Sequence, residues 1–64
     1  MTQKELSYVE DAIGHESSII EILNYESDNL EDENLVSFMS SELNKHNEIK
    51  ERLMSLLEEK ANEW

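Results

Sequence analysis

Three ionisable residues, Glu16, Glu42 and His46, occupy positions where the surrounding pattern calls for apolar side chains. Glu16 interrupts the series Leu6, Val9, Ile13, Ile20, Leu23. Glu42 and His46 interrupt the series Leu35, Met39, Ile49, Leu53, Leu56. Both series advance by three and four residues, so each lies along one face of a helix. A carboxylate drawn away from water is costly unless it takes a proton, meets a hydrogen-bond donor or binds a cation. Carboxylate and imidazole together are donors suited to iron, manganese or zinc. The chain contains no cysteine, so thiolate sites and disulfides are excluded.

The elements that must hold these residues are two long helices. Thr2-Gln3-Lys4-Glu5 is a capping box: the Thr2 hydroxyl can accept an early helix N–H while Glu5 reaches back. The first helix is expected over about 3–26. Ala12, Ile19 and Ile22 widen its apolar face on one side, with Tyr8 and His15 at the edge. The stretch ESDNLEDEN then breaks the rhythm with turn-forming residues, giving a turn over about 27–32. Asp32 is the expected N-cap of the second helix, and Asp28 followed by Glu31 is a competing start. The second helix is expected over about 33–62, widened by Val36, Phe38, Leu43, Met54 and Leu57, with Met39 and Met54 as packing residues and Trp64 near its end.

Residues 1–64 thus form a single all-α domain, an antiparallel helical hairpin. Its apolar faces are too wide for one partner helix to cover. Ile19, Ile22, Phe38, Leu43 and Met54 would stay half in water, and the expected remedy is a four-helix bundle made from two copies, a homodimer or a higher homo-oligomer. A hairpin folded near residue 29 or 30 sets residue 16 across from about residue 43, level with Glu42 and His46. A two-fold axis crossing at mid-length would gather four carboxylates and two imidazoles, a set that two divalent ions would neutralise and that matches the di-iron and di-manganese carboxylate bundles. The spacing Glu42-x-x-x-His46 is one residue longer than the Glu-x-x-His usual there. His15 is placed to support a ligand or replace one. The plainer reading is a polar layer that sets register and oligomeric state. Gly14, in mid-helix, implies a close approach by another subunit or a local distortion.

The segments LSYVEDAIGHESSIIEIL and LEDENLVSFMSSELNKHNEIKERLMSLL resemble the Coat F family of spore coat proteins, of the ferritin-like group. The likeness covers about residues 3–57 and rests on KELSYVEDAIGHE, the Asp-containing turn before LVSFM, and the helix carrying SELNKHNEIKERL. It implies a ferritin-like four-helix bundle, here completed by pairing half-size chains, in the cytoplasm or spore coat, with other coat proteins as partners. It also implies a dinuclear centre: Glu16 as terminal ligand, Glu42 as candidate bridging ligand, His46 as imidazole ligand. Iron is the first expectation for the divalent metal, with manganese or zinc as alternatives. An active centre would oxidise ferrous iron or handle oxygen or peroxide. The alternative is a non-catalytic structural or interaction protein of the coat.

Composition narrows the remaining classes. Sixteen acidic against five basic residues give a net charge of −11, which repels phosphate backbones and anionic membranes. That disfavours nucleic acid, and with it a resemblance to the small RNA-binding two-helix bundles of plasmids. No basic region followed by an apolar run marks an export signal. Nucleophile elbows, phosphate loops and metalloprotease helix motifs are all missing from the sequence.

Overall fold

The computed structural model describes residues 1–60 and shows two helices, α1 (Gln3–Asp28) and α2 (Glu33–Lys60), packed antiparallel as a hairpin. The expected end of the second helix at about 62, and Trp64, lie outside the described residues. The hairpin is a rod with a long dimension of 49 Å. Among the described residues, no helix is long and apolar enough to cross a membrane.

Each helix begins where its sequence supplies a cap. Glu5 N–H donates to the Thr2 hydroxyl at 3.0 Å, and Thr2 N–H donates to Glu5 Oε1 at 2.8 Å. The donation from the Thr2 backbone, followed by the hydrogen bond to its side chain, holds the Glu5 carboxyl below its ordinary value of 4.5. Helix α1 runs two residues beyond the expected end and finishes on Asn29. Asn29 N–H donates to Glu26 O at 3.1 Å, and its side-chain amide donates to Tyr25 O at 2.7 Å. These bonds satisfy terminal carbonyls that a glycine cap would otherwise serve. Asp32 caps α2: its Oδ1 accepts from Asn34 N–H at 2.9 Å and Leu35 N–H at 3.1 Å. Asp28 belongs to α1 instead.

The helices meet along two seven-residue repeats. On α1 the inward stripe is Leu6, Val9, Ile13, Glu16, Ile20, Leu23 and Ser27, all half-buried. On α2 it is Val36, Met39, Leu43, His46, Lys50, Leu53 and Leu57, also half-buried. This corrects the expected second seam at alternate positions. Leu35 and Leu56 are 50% and 39% exposed, and Val36 and Leu57 take the inward places. The apolar arc of α2 contains two overlapping repeats that share Met39, His46 and Leu53. Packing against α1 selects one of them and turns the other outward.

No described residue is fully buried. A second apolar stripe runs along each helix: Tyr8, Ala12, His15, Ile19, Ile22 on α1, and Leu35, Phe38, Glu42, Lys45, Ile49, Arg52, Leu56 on α2. Reversing one helix turns its wheel over, so equivalent flanks of an antiparallel pair lie on the same side. Ala12, Ile19, Glu42 and Ile49 are accordingly half-buried, whereas on the opposite flank Ser17 is half-buried and Glu10, Asn24, Ser40 and Asn47 are exposed. Five large hydrophobic residues on the outer stripe are exposed: Tyr8, Ile22, Leu35, Phe38 and Leu56. Tyr25 and Met54, also exposed, lie off it.

Gly14 sits in regular helix, and a Cβ built there meets nothing within 4 Å. Neither a distortion nor a neighbour within the chain accounts for it. Its face, with Ser7 and Glu21, points away from the outer apolar stripe. Gly14→Ala is therefore expected to stabilise the protein by about 0.5–1 kcal/mol, through the better helix propensity of alanine. Asp32→Ala is expected to cost about 1 kcal/mol by removing the α2 cap, and Asp32→Asn to restore most of it. Thermal or urea unfolding followed by circular dichroism measures all three.

Candidate functional site

The polar layer lies at mid-length. The centre of Gln3–Asp28 falls between residues 15 and 16, and that of Glu33–Lys60 between residues 46 and 47. Glu16 and His46 are both inward residues at this level. His46 Nδ1 lies 2.5 Å from Glu16 Oε2, and against an ionised carboxylate the ring nitrogen is the donor. The opposing residue is thus His46, three positions beyond the expected residue 43.

Glu42 joins from the rim. One turn before His46 on α2, it belongs to the outer stripe and not to the inward one. Its Oε2 lies 3.9 Å from His46 Nε2, beyond hydrogen-bonding distance. Its other oxygen accepts from Lys45 Nζ at 3.3 Å. The side chains of Glu16, His46 and Glu42 are 15%, 22% and 27% exposed. That gradient runs from the helix–helix seam out to the apolar flank.

The backbone explains this arrangement. Helical Cα–Cβ bonds tilt toward the N-terminus, so His46 leans back over the turn that carries Glu42. Its ring then stands between two carboxylates, with Nδ1 turned across the hairpin and Nε2 turned along its own helix. In a neutral ring, an Nδ1–H donated to Glu16 leaves the Nε2 lone pair available to a metal ion.

The structure brings together all three residues singled out in the sequence, but it does not make them equivalent. Glu16 is engaged by the imidazole, whereas Glu42 and Nε2 open toward the flank. Among the described residues of one chain, no group of three or more side chains is placed to hold a metal ion. His15 is exposed and lies on the outer stripe, apart from the hydrogen-bonded pair. Sequence reasoning passed over Lys50, which takes an inward position one turn beyond His46 and is half-buried. Its long aliphatic stem suits such a place, and its spacing of seven from Leu43 and Leu57 was the available signal.

No protein-family model matches the chain, and neither the curated proteins nor the solved structures searched contain a match to it.

The Glu16–His46 contact should register as a coupling energy. A double-mutant cycle with Glu16→Ala and His46→Ala near neutral pH is expected to give about 1–2 kcal/mol, as for a hydrogen bond to a charged group in a partly enclosed setting. The matching cycle for Glu42 and Lys45 should give at most about 0.5 kcal/mol, because Lys45 is 63% exposed.

Proposed function

We propose that this chain is a metal-binding helical hairpin that pairs with a second copy into a ferritin-like four-helix bundle. The polar layer of Glu16, Glu42 and His46 forms its divalent-metal centre. The observation that carries this reading is the coincidence of two features on one side of the hairpin. The unpaired apolar stripe and the open edge of the Glu/His layer share a flank, and the layer lies at mid-length. A two-fold axis there would bury the stripe and bring both layers together in the same step.

Area and charge support pairing. The chain exposes 4998 Å², against about 4,250 Å² expected for a compact monomer of its mass. The excess approaches the ~800 Å² that each partner buries in an interface of standard size. The outer stripe carries Lys45 and Arg52 beside Glu42, with Glu5, Glu26 and Glu59 at its continuing positions, while Glu10, Asp11, Glu21, Asp28, Glu48, Glu51 and Glu58 lie elsewhere. The flank offered to a second copy is therefore the less acidic one. Within the pair, four carboxylates and two imidazoles are the donors on hand, chemically suited to iron, manganese or zinc. Metal bound there would supply charge neutralisation and, with iron, redox chemistry. The resemblance of about residues 3–57 to the Coat F family sets this bundle in a spore coat or in sporulation, with coat proteins as partners.

A second reading has its own observation. The hydrogen bond from His46 to Glu16 pairs Nδ1 with a carboxylate oxygen across the seam without an ion, as a register device in a structural or interaction protein requires.

Sedimentation of the full chain at micromolar concentration is expected to show a dimer, and a monomer would remove the basis of the proposal. Protein purified with iron, manganese or zinc should retain at least one ion per two chains, and Glu42→Ala with His46→Ala should retain none. If the dimer forms but holds no metal, and replacing all three polar residues by leucine raises the melting temperature, the register reading stands.

A further inference from the structure

The resemblance implies Glu16 as terminal ligand, Glu42 as bridging ligand and His46 as imidazole ligand, but the hydrogen bonding within the hairpin separates Glu16 from the other two. We infer that Glu16 is a positioning residue and not a ligand, and that Glu42 and His46 are one half of a four-donor site completed by the same pair from a second copy. This rests on the metal-binding reading above and differs from a six-donor, dinuclear arrangement in which Glu16 ligates.

The first ground is the commitment of His46. Its Nδ1 meets Glu16 Oε2 at 2.5 Å, inside the seam, where Glu16 is the least exposed of the three side chains. For Glu16 to ligate, it would have to leave the imidazole and swing from the seam to the flank. A carboxylate holding the N–H of a ligating histidine fixes both its tautomer and its ring orientation. Glu16 stands in that relation to Nε2.

The second ground is the pair that remains. Nε2 and Glu42 Oε2 face each other across 3.9 Å with no hydrogen bond between them. Two donors on one tetrahedral ion, at bond lengths of 2.0–2.2 Å, are about 3.4 Å apart. A small side-chain rotation closes that difference. Lys45 holds the other Glu42 oxygen at 3.3 Å, which leaves Oε2 turned to Nε2. Both donors project from one helix, one turn apart, so the backbone fixes their separation.

The third ground is the count. One chain offers no group of three candidate ligands among its described residues. Two donors alone hold a metal weakly, but two such pairs across a dyad give two nitrogens and two oxygens, the number that zinc takes. The two Glu42 carboxylates balance a divalent charge, and each Glu16 stays hydrogen-bonded to an imidazole that the metal makes a stronger donor. Two ions would have to share those four donors.

The test uses the full-length chain, zinc(II) and cobalt(II) as separate probes, and sedimentation to verify the dimer in every variant. Titration calorimetry should give one ion per two chains. Cobalt should develop the intense visible absorption of a four-coordinate site, and the nitrogen NMR spectrum should show metal at Nε2 of His46. Glu42→Ala and His46→Ala should each abolish binding. Glu16→Gln, whose amide oxygen can still accept from Nδ1–H, should keep the stoichiometry and the cobalt spectrum while weakening affinity by about 10–100-fold. One ion per chain, or a Glu16→Gln dimer with altered stoichiometry or cobalt spectrum, would make Glu16 a ligand and overturn this inference while the metal reading survives. A wild-type dimer that binds neither probe would overturn both.

Discussion

The hydrogen bond between His46 and Glu16 joins the helices at mid-length, and the alignment of the hairpin turns on it. An apolar seam with a seven-residue repeat is nearly indifferent to sliding by one repeat, because leucine, valine and isoleucine substitute for each other across it. Sliding α2 by seven residues would instead set Glu16 against Met39 or Leu53 and leave His46 among apolar side chains. Each orphaned polar group would cost about 1–3 kcal/mol, a large part of what a hairpin of this size can hold. The short turn, bounded by Asn29 and the Asp32 cap, demands the same alignment. Local and long-range determinants agree, as a sequence with one folded state requires.

That alignment leaves the apolar surface unbalanced. Two helices have only one mutual seam, yet each carries two apolar stripes, and the outer pair falls on one side. The absence of any fully buried residue among the described residues follows from this geometry. The remaining faces hold most of the carboxylates behind the net charge of −11, the kind of surface that keeps an exposed apolar stripe in water. The same charge opposes association, since pairing brings two acidic rods together. Pairing through the outer stripe, where Lys45 and Arg52 reside beside Glu42, would limit that repulsion.

Much of this was legible in the residues. The capping box at Thr2, the Asp32 cap and the inward stripe from Leu6 to Leu23 follow from local chemistry, and local chemistry decided them. The rotation of α2 was not legible. Its arc supports two repeats through Met39, His46 and Leu53, and only contact with α1 distinguishes Val36 and Leu57 from Leu35 and Leu56. The consequence for the site is direct. Glu42 read as an interior residue equivalent to Glu16, but the rotation moves it to the rim. Lys50 went unnoticed because a lysine in an apolar repeat looks like an interruption, although its position is inward and half-buried.

The two readings of the polar layer therefore draw on different atoms of one side chain. Register needs only Nδ1 and Glu16, which the hairpin engages by itself. Metal binding needs Nε2 and Glu42, which the hairpin leaves open. The spacing of four residues, longer than Glu-x-x-His, matters here. It puts Glu42 a full turn below His46, on the side to which a helical side chain leans, so the ring reaches its own helix's carboxylate while its other edge faces α1. When the ring is neutral and Nδ1–H donates to Glu16, the hydrogen bond that sets the alignment also leaves Nε2 to a metal ion. A hairpin that has solved its folding problem in this way presents a pre-oriented nitrogen and a nearby carboxylate oxygen at the centre of the flank that a second copy would cover.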